Sequence, residues 1–229
     1  MSSGSLMADY PNSNIKTSTF TSEQEVKRIT SESGRTQTRL VGGQRFSIKI
    51  THAPMAKADY MPLDAFIMSK RGRDIAFTIT LPDKSSPLGA VTGSPVLNGG
   101  RAAGSNSIAI DGLVAGVADV FYASDIITFA SHTKVYKIVE TVDSGALDSI
   151  EDYSGTAISD YSTTDIHTVE SQQTVVTIFP PLVEDVADNS AVTYNNVEFT
   201  VKMTKDAQNY KVQPPNIYQK KVDLIEYIA

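Results

Sequence analysis

Apolar and polar residues alternate along much of this chain with the period of a β-strand. In residues 34–52, GRTQTRLVGGQRFSIKITH, the polar Arg39, Arg45, Ser47 and Lys49 interleave with Leu40, Phe46, Ile48 and Ile50. Period two over Phe46, Ile48 and Ile50 predicts a half-buried strand, because successive strand side chains point to opposite faces. Gly42-Gly43 predicts a turn or bulge just before it.

Residues 54–72 break that rhythm. Tyr60, Leu63, Phe66 and Ile67 fall on one face at helical spacing. Asp59 suits the N-cap or first turn, and Pro62 is tolerable only near the helix start. Lys70 and Arg71 fall where the helix dipole favours cations, and Gly72 can adopt the left-handed cap. This predicts one helix of about three turns. Period two returns in residues 74–82, with Ile75, Phe77, Ile79 and Leu81.

Residues 83–107, rich in Gly, Ser, Pro and Asn, read as a long connection or small hairpin. Short strands follow: SIAIDGL, then two within DIITFASHTKVYKIVETV turning at Ser131-His132-Thr133, then TVVTIFPPL closed by Pro180-Pro181. VEFTVKMT (197–204) and VDLIEYI (222–228) complete the set. Short strands separated by turn signals predict a mostly β sandwich or barrel. The polar residues 1–33 read as an N-terminal arm, ordered only under a neighbour, or equally as a plain disordered tail, with few apolar anchors among them Tyr10, Ile15 and Phe20. Residues 143–173 read as an exposed acidic loop.

Composition narrows the function. With no cysteine, disulfides and thiolate metal sites are excluded. A net charge of -6 argues against an overall basic nucleic-acid binder. No run of about 18 apolar residues predicts a membrane helix. The first residues lack the charged and apolar regions of a secretory signal, so the chain is expected to act where it is made or to leave inside a larger particle.

Candidate chemistry is sparse. His52, His132 and His167 show no HExxH spacing. Gly93-Ser94 and Gly104-Ser105 do not complete a nucleophile elbow. Asp148, Glu151, Asp152, Asp160 and Asp165 lack the alternation and central Gly of a calcium loop and read as a solvated surface. A glycosidase carboxylate pair is disfavoured by the absence of Trp and by only 8% aromatic residues. Lys70, Arg71 and Arg73 form a small basic cluster, read first as complement to the helix dipole and second as a partner contact. No catalytic, cofactor-binding or metal-binding residue is assigned, and no cofactor is expected.

Three segments together resemble a known family: GRTQTRLVGGQRFSIKITHAPM (34–55), ADYMPLDAFIMSKRGRDIAFTITLP (58–82), and the group SIAIDGL, DIITFASHTKVYKIVETV and VTIFPPL (176–182). The GGQR strand, the Pro-Met before a helix ending in RG, the strand ending in LP, the His132-x-Lys134-Val135-Tyr136 strand and the Pro180-Pro181-Leu182 corner are similar to structural proteins of tailed-bacteriophage tails, nearest the distal tail and tube-initiator group. The resemblance implies a tail-tube-like β-sandwich or barrel with one flanking α-helix, formed by residues 34–87 and 183–229. Residues 88–182 would be an inserted small β-barrel module. It further implies a virion protein without enzymatic activity, assembled in the host cytoplasm into a ring, hexameric in expectation. Its partners would be the tail tube protein and the baseplate hub or tail tip, with DNA passing through the channel unbound and no membrane anchor. The alternative reading is a tail-tip or fibre module that recognises the host surface.

Overall fold

The computed structural model describes residues 10–11, 14–145 and 173–228. Strands take 44% of the residues and helix 8%, so the chain is mostly β. Among the described residues there is one α-helix. The chain divides into two compact units, residues 1–82 with 198–229, and residues 83–197.

The first unit holds strands β1 (Ile15–Glu23), β2 (Val26–Thr30), β3 (Thr36–Leu40) and β4 (Arg45–His52), helix α1 (Lys57–Ser69) and strand β5 (Phe77–Thr80). In the second unit lie β6 (Gly93–Leu97), β7 (Ser107–Leu113), β8 (Ile126–Phe129), β9 (Val135–Ile138), β10 (Thr174–Phe179) and β11 (Val192–Thr193). The chain then returns to the first unit with β12 (Glu198–Met203), β13 (Lys211–Gln213), β14 (Ile217–Gln219) and β15 (Lys221–Glu226).

A five-stranded antiparallel sheet of order β1-β4-β15-β12-β5 frames the first unit. The alternation in β4 is realised in part: Phe46, Ile48, Ile50 and His52 are buried and Arg45 and Lys49 exposed, but the polar Ser47 is buried as well. Helix α1 buries Tyr60, Leu63 and Ile67. Tyr60 stacks on Tyr218 of β14 at 4.7 Å between ring centroids, and Phe66 meets Phe77 of β5 edge-on at 5.4 Å. Pro62 lies inside the helix rather than in its first turn, and no side chain caps the start at Ala56. The helix ends at Ser69, one residue before the cations assigned to its last turn. Gly72 has φ +66, and a Cβ there would stand 2.8 Å from Cα of Asp206, so only glycine fits both the left-handed turn and the neighbouring backbone.

In the second unit the strand order is β11-β8-β9-β10-β7-β6, a nearly closed barrel-like sheet. Closure comes from the bridge between Val96 and Ala191, from Leu97 N–H donating to Ser190 O (2.9 Å), and from Asn189 N–H donating to Leu97 O (2.9 Å). Its interior is filled by alternating strand residues, among them Ile108 and Ile110, Ile127 and Phe129, Val176 and Ile178, all buried with Phe121. Gly93 and Gly112, both at positive φ, face each other across β6 and β7. A Cβ on either would lie 2.6 Å from opposing backbone oxygen, which explains the irregular register there.

Several sequence expectations need correction. Residues 1–33 are not simply an arm. Residues 15–23 form β1, which pairs with β4, and residues 26–30 form one side of a hairpin. Residues 36–40 form a further strand, β3, ahead of the turn expected at Gly42-Gly43 and the expected strand β4. The inserted unit spans 83–197 rather than 88–182, because residues 183–197 hold β11, which pairs with β8. Residues 83–107 contain β6. Residues 1–9 of the arm and 146–172 of the acidic stretch lie outside the described residues.

Candidate assembly surface

Among the described residues, His52 and His132 are held in hydrogen bonds within the fold. Nε2 of His52, at the end of β4, lies 2.7 Å from the hydroxyl of Tyr10. Burial holds the Tyr10 hydroxyl well above its ordinary proton affinity, so it stays neutral and can donate. His132, in the β8–β9 turn, has Nδ1 2.9 Å from Ser131 Oγ and Nε2 2.6 Å from Tyr136 Oη. Tyr136 Oη also accepts Val183 N–H at 3.1 Å, so its own proton is available to Nε2. Burial lowers the affinity of His132 for a second proton, against an opposing pull from Glu184. His167 lies outside the described residues, as do Asp148, Glu151, Asp152, Asp160 and Asp165. Among the described residues no group of three or more His, Asp or Glu side chains is placed to hold a metal ion.

Of the basic cluster after α1, Lys70 turns inward while Arg71 and Arg73 stay exposed. Lys70 is buried, with Nζ 4.7 Å from the Phe66 ring centroid, a cation over an aromatic face. Arg71 takes a left-handed φ of 51. Arg73 grips Asp206 through Nε (3.0 Å) and Nη2 (2.6 Å), a bidentate pair that holds the Asp206 carboxyl below the usual carboxylate range. The Gly-Ser pairs belong to the β6–β7 bulge and to a turn where Gly104 N–H donates to Leu182 O at 2.7 Å.

The hairpin β2–β3 is different in kind. Every residue from Glu25 through Leu40 is exposed. The turn closes through Ser31 N–H to Arg35 O and Gly34 N–H to Ser31 O, both 2.9 Å, with Gly34 at φ 79. On one face Val26 is paired with Leu40, at 51% and 55% exposure. On the other, Lys27 stands directly opposite Arg39, beside Ile29 at 70% exposure. Like charges directly across a strand pair are destabilising, and an isolated two-stranded hairpin is marginal in water. Neither Lys27 nor Arg39 takes part in an ion pair among the described residues. The arrangement presents apolar side chains and uncompensated cations together to whatever lies next to it. The signal in the sequence was weak: VKRIT and TQTRL carry apolar residues too sparse to suggest a core strand, though SESG between them is a turn sequence.

No protein-family model matches this chain, and no curated protein matches it.

Proposed function

We propose that the chain is a non-catalytic structural subunit of a tailed-bacteriophage tail, which closes into a homo-oligomeric ring, hexameric in this reading, between the tail tube and the distal tip. The observation that carries the proposal is the exposed β2–β3 hairpin, which has hydrophobic side chains on both faces and no cover within its own chain among the described residues. A neighbouring subunit supplies that cover, and ring closure satisfies every copy of the hairpin at once through the same head-to-tail contact. The mostly β fold, the one α-helix among the described residues and the barrel-like second unit agree with the resemblance of residues 34–55, 58–82 and the segments SIAIDGL, DIITFASHTKVYKIVETV and VTIFPPL to distal tail and tube-initiator proteins. Sheet edges also favour assembly: β1 is the terminal strand of its sheet, and its stretch from Thr17 through Ser22 carries no charge that would discourage strand addition.

Tail tube protein on one side and hub or tip proteins on the other are the partners this role requires. DNA passes through the ring without specific binding, and the net charge of -6 favours transit by repelling phosphate. The test is the oligomeric state of the double variant Ile29→Glu with Leu40→Glu. Both side chains are exposed, so the subunit keeps its fold while its rings dissociate to monomers. Rings that persist unchanged would remove the hairpin from the interface.

A further inference from the structure

A groove of about 460 Å³ opens at one end of the five-stranded sheet, within the first unit. Four lysines line it, Lys16, Lys211, Lys220 and Lys221, and no carboxylate does. This is unusual in a chain of net charge -6, where a random ten-residue lining should hold at least as many acids as bases. Distinct structural devices deliver the four. Lys16 occupies the irregularity in β1, where Ile15 pairs with His52 and Thr17 with Thr51, so the extra residue re-aims its side chain. Lys211 begins β13, opposite Gln219 of β14. Lys221 begins β15, opposite Thr51 of β4.

Lys220 forms the floor. It is 1% exposed, and its Nζ donates to Asn209 O at 2.9 Å. Burial lowers its proton affinity, while Asp64 opposes that shift from a distance. The carboxylates of Asp64 and Asp223 have partners of their own: Asp64 Oδ1 accepts the Tyr60 hydroxyl at 2.7 Å, and Asp223 Oδ2 lies 3.3 Å from Lys205 Nζ. None of the four groove lysines takes part in an ion pair among the described residues.

We infer that this groove is a docking site for an acidic, extended peptide segment of a partner protein. Unpaired ammonium groups gathered around one cleft call for carboxylate or phosphate oxygen. The shape selects between them. A DNA duplex is too broad to enter a cleft this small and would touch only its outer lysines. The lining also offers no glycine-rich backbone nest or helix N-terminus of the kind that cradles phosphate. A peptide in extended form fits, since alternate side chains project toward the floor and its backbone can meet Asn209, Gln219 and Thr51 along the walls. The ring reading is not needed for this inference, because a monomer presents the whole groove.

Binding of a fluorescein-labelled hexaglutamate peptide to the full chain, followed by anisotropy at low and physiological ionic strength, tests it. Hexaglutamine and a short DNA duplex serve as parallel probes. Hexaglutamate should bind, salt should weaken it, and hexaglutamine should not bind. The double variant Lys211→Gln with Lys221→Gln should lose about tenfold in affinity. Both positions are exposed, so folding is retained, and Lys16→Gln gives an independent smaller loss in the same direction. Failure of hexaglutamate to bind, equal binding by wild type and both variants, or binding of duplex in its place would overturn the assignment.

Discussion

The Tyr10 hydroxyl and Nε2 of His52 are joined by a 2.7 Å hydrogen bond across 42 residues of chain, in the buried interior of the first unit. Tyr10 N–H also donates to Thr78 O at 2.9 Å, and its ring lies parallel to Phe77 and edge-on to Phe66. A residue from the polar N-terminal stretch is thus a core residue that ties β4, β5 and α1 together.

Substitution of Tyr10 separates its two contributions. Tyr10→Phe keeps the ring and removes the hydroxyl, at a cost of about 1–3 kcal/mol because His52 Nε2 loses a buried partner. Tyr10→Ala also removes the ring packing and should cost about 3–5 kcal/mol. Urea denaturation of the full chain distinguishes the two: unchanged stability in Tyr10→Phe would mean that the hydrogen bond contributes nothing, and equal losses in both variants would mean that the ring packing contributes nothing.

Gly72→Ala should destabilise the chain by about 1–3 kcal/mol, through the left-handed φ and the approach of Asp206 backbone. Gly34→Ala, also at positive φ but with open space around its Cβ position, should cost only the smaller conformational part, about 1 kcal/mol. Thermal melting of both variants gives the comparison.

Asp125 organises the second unit by accepting three backbone N–H groups, from Leu88 (2.8 Å), Gly89 (3.0 Å) and Tyr122 (2.9 Å). Asp125→Asn turns one acceptor into a donor facing a donor, and should cost about 2–3 kcal/mol. Amide exchange would show faster opening at Leu88, Gly89 and Tyr122, while unchanged protection there would contradict the role.

His132 should make stability depend on pH. Its proton affinity is lower in the folded chain than the ordinary value of 6.5, so the unfolded chain binds the extra proton first. Its stabilisation is complete above the unfolded value, is lost as pH falls from there to the folded value, and is flat below. Urea midpoints across that window should fall with pH in the wild type and fall less in His132→Gln, which keeps a neutral polar side chain.

Much of this architecture was legible in the residues. Strong alternation marked β4, and Ser107–Leu113 is both the predicted strand and β7. The helix face was legible at Tyr60, Leu63 and Ile67, but Phe66 is only half-buried, with Lys70 Nζ 4.7 Å from its ring centroid. The first strands were missed for a physical reason. Strand β1 is Thr- and Ser-rich and held in place by few apolar groups, chiefly Phe20 stacking on Phe46 at 4.5 Å. Strands β2 and β3 bury nothing in their own chain and so leave no periodic hydrophobic signal. The lysine groove was invisible because Lys16 and Lys211 are distant in sequence and meet only through the sheet.

The central claim is assembly into a closed ring. Native mass spectrometry of the full chain counts its subunits directly. The account predicts one closed species, a hexamer, that gives way to monomer when Ile29 and Leu40 are both changed to Glu. A chain that remains monomeric at all accessible concentrations would contradict it, and a discrete trimer would contradict the ring in favour of a fibre or tip module.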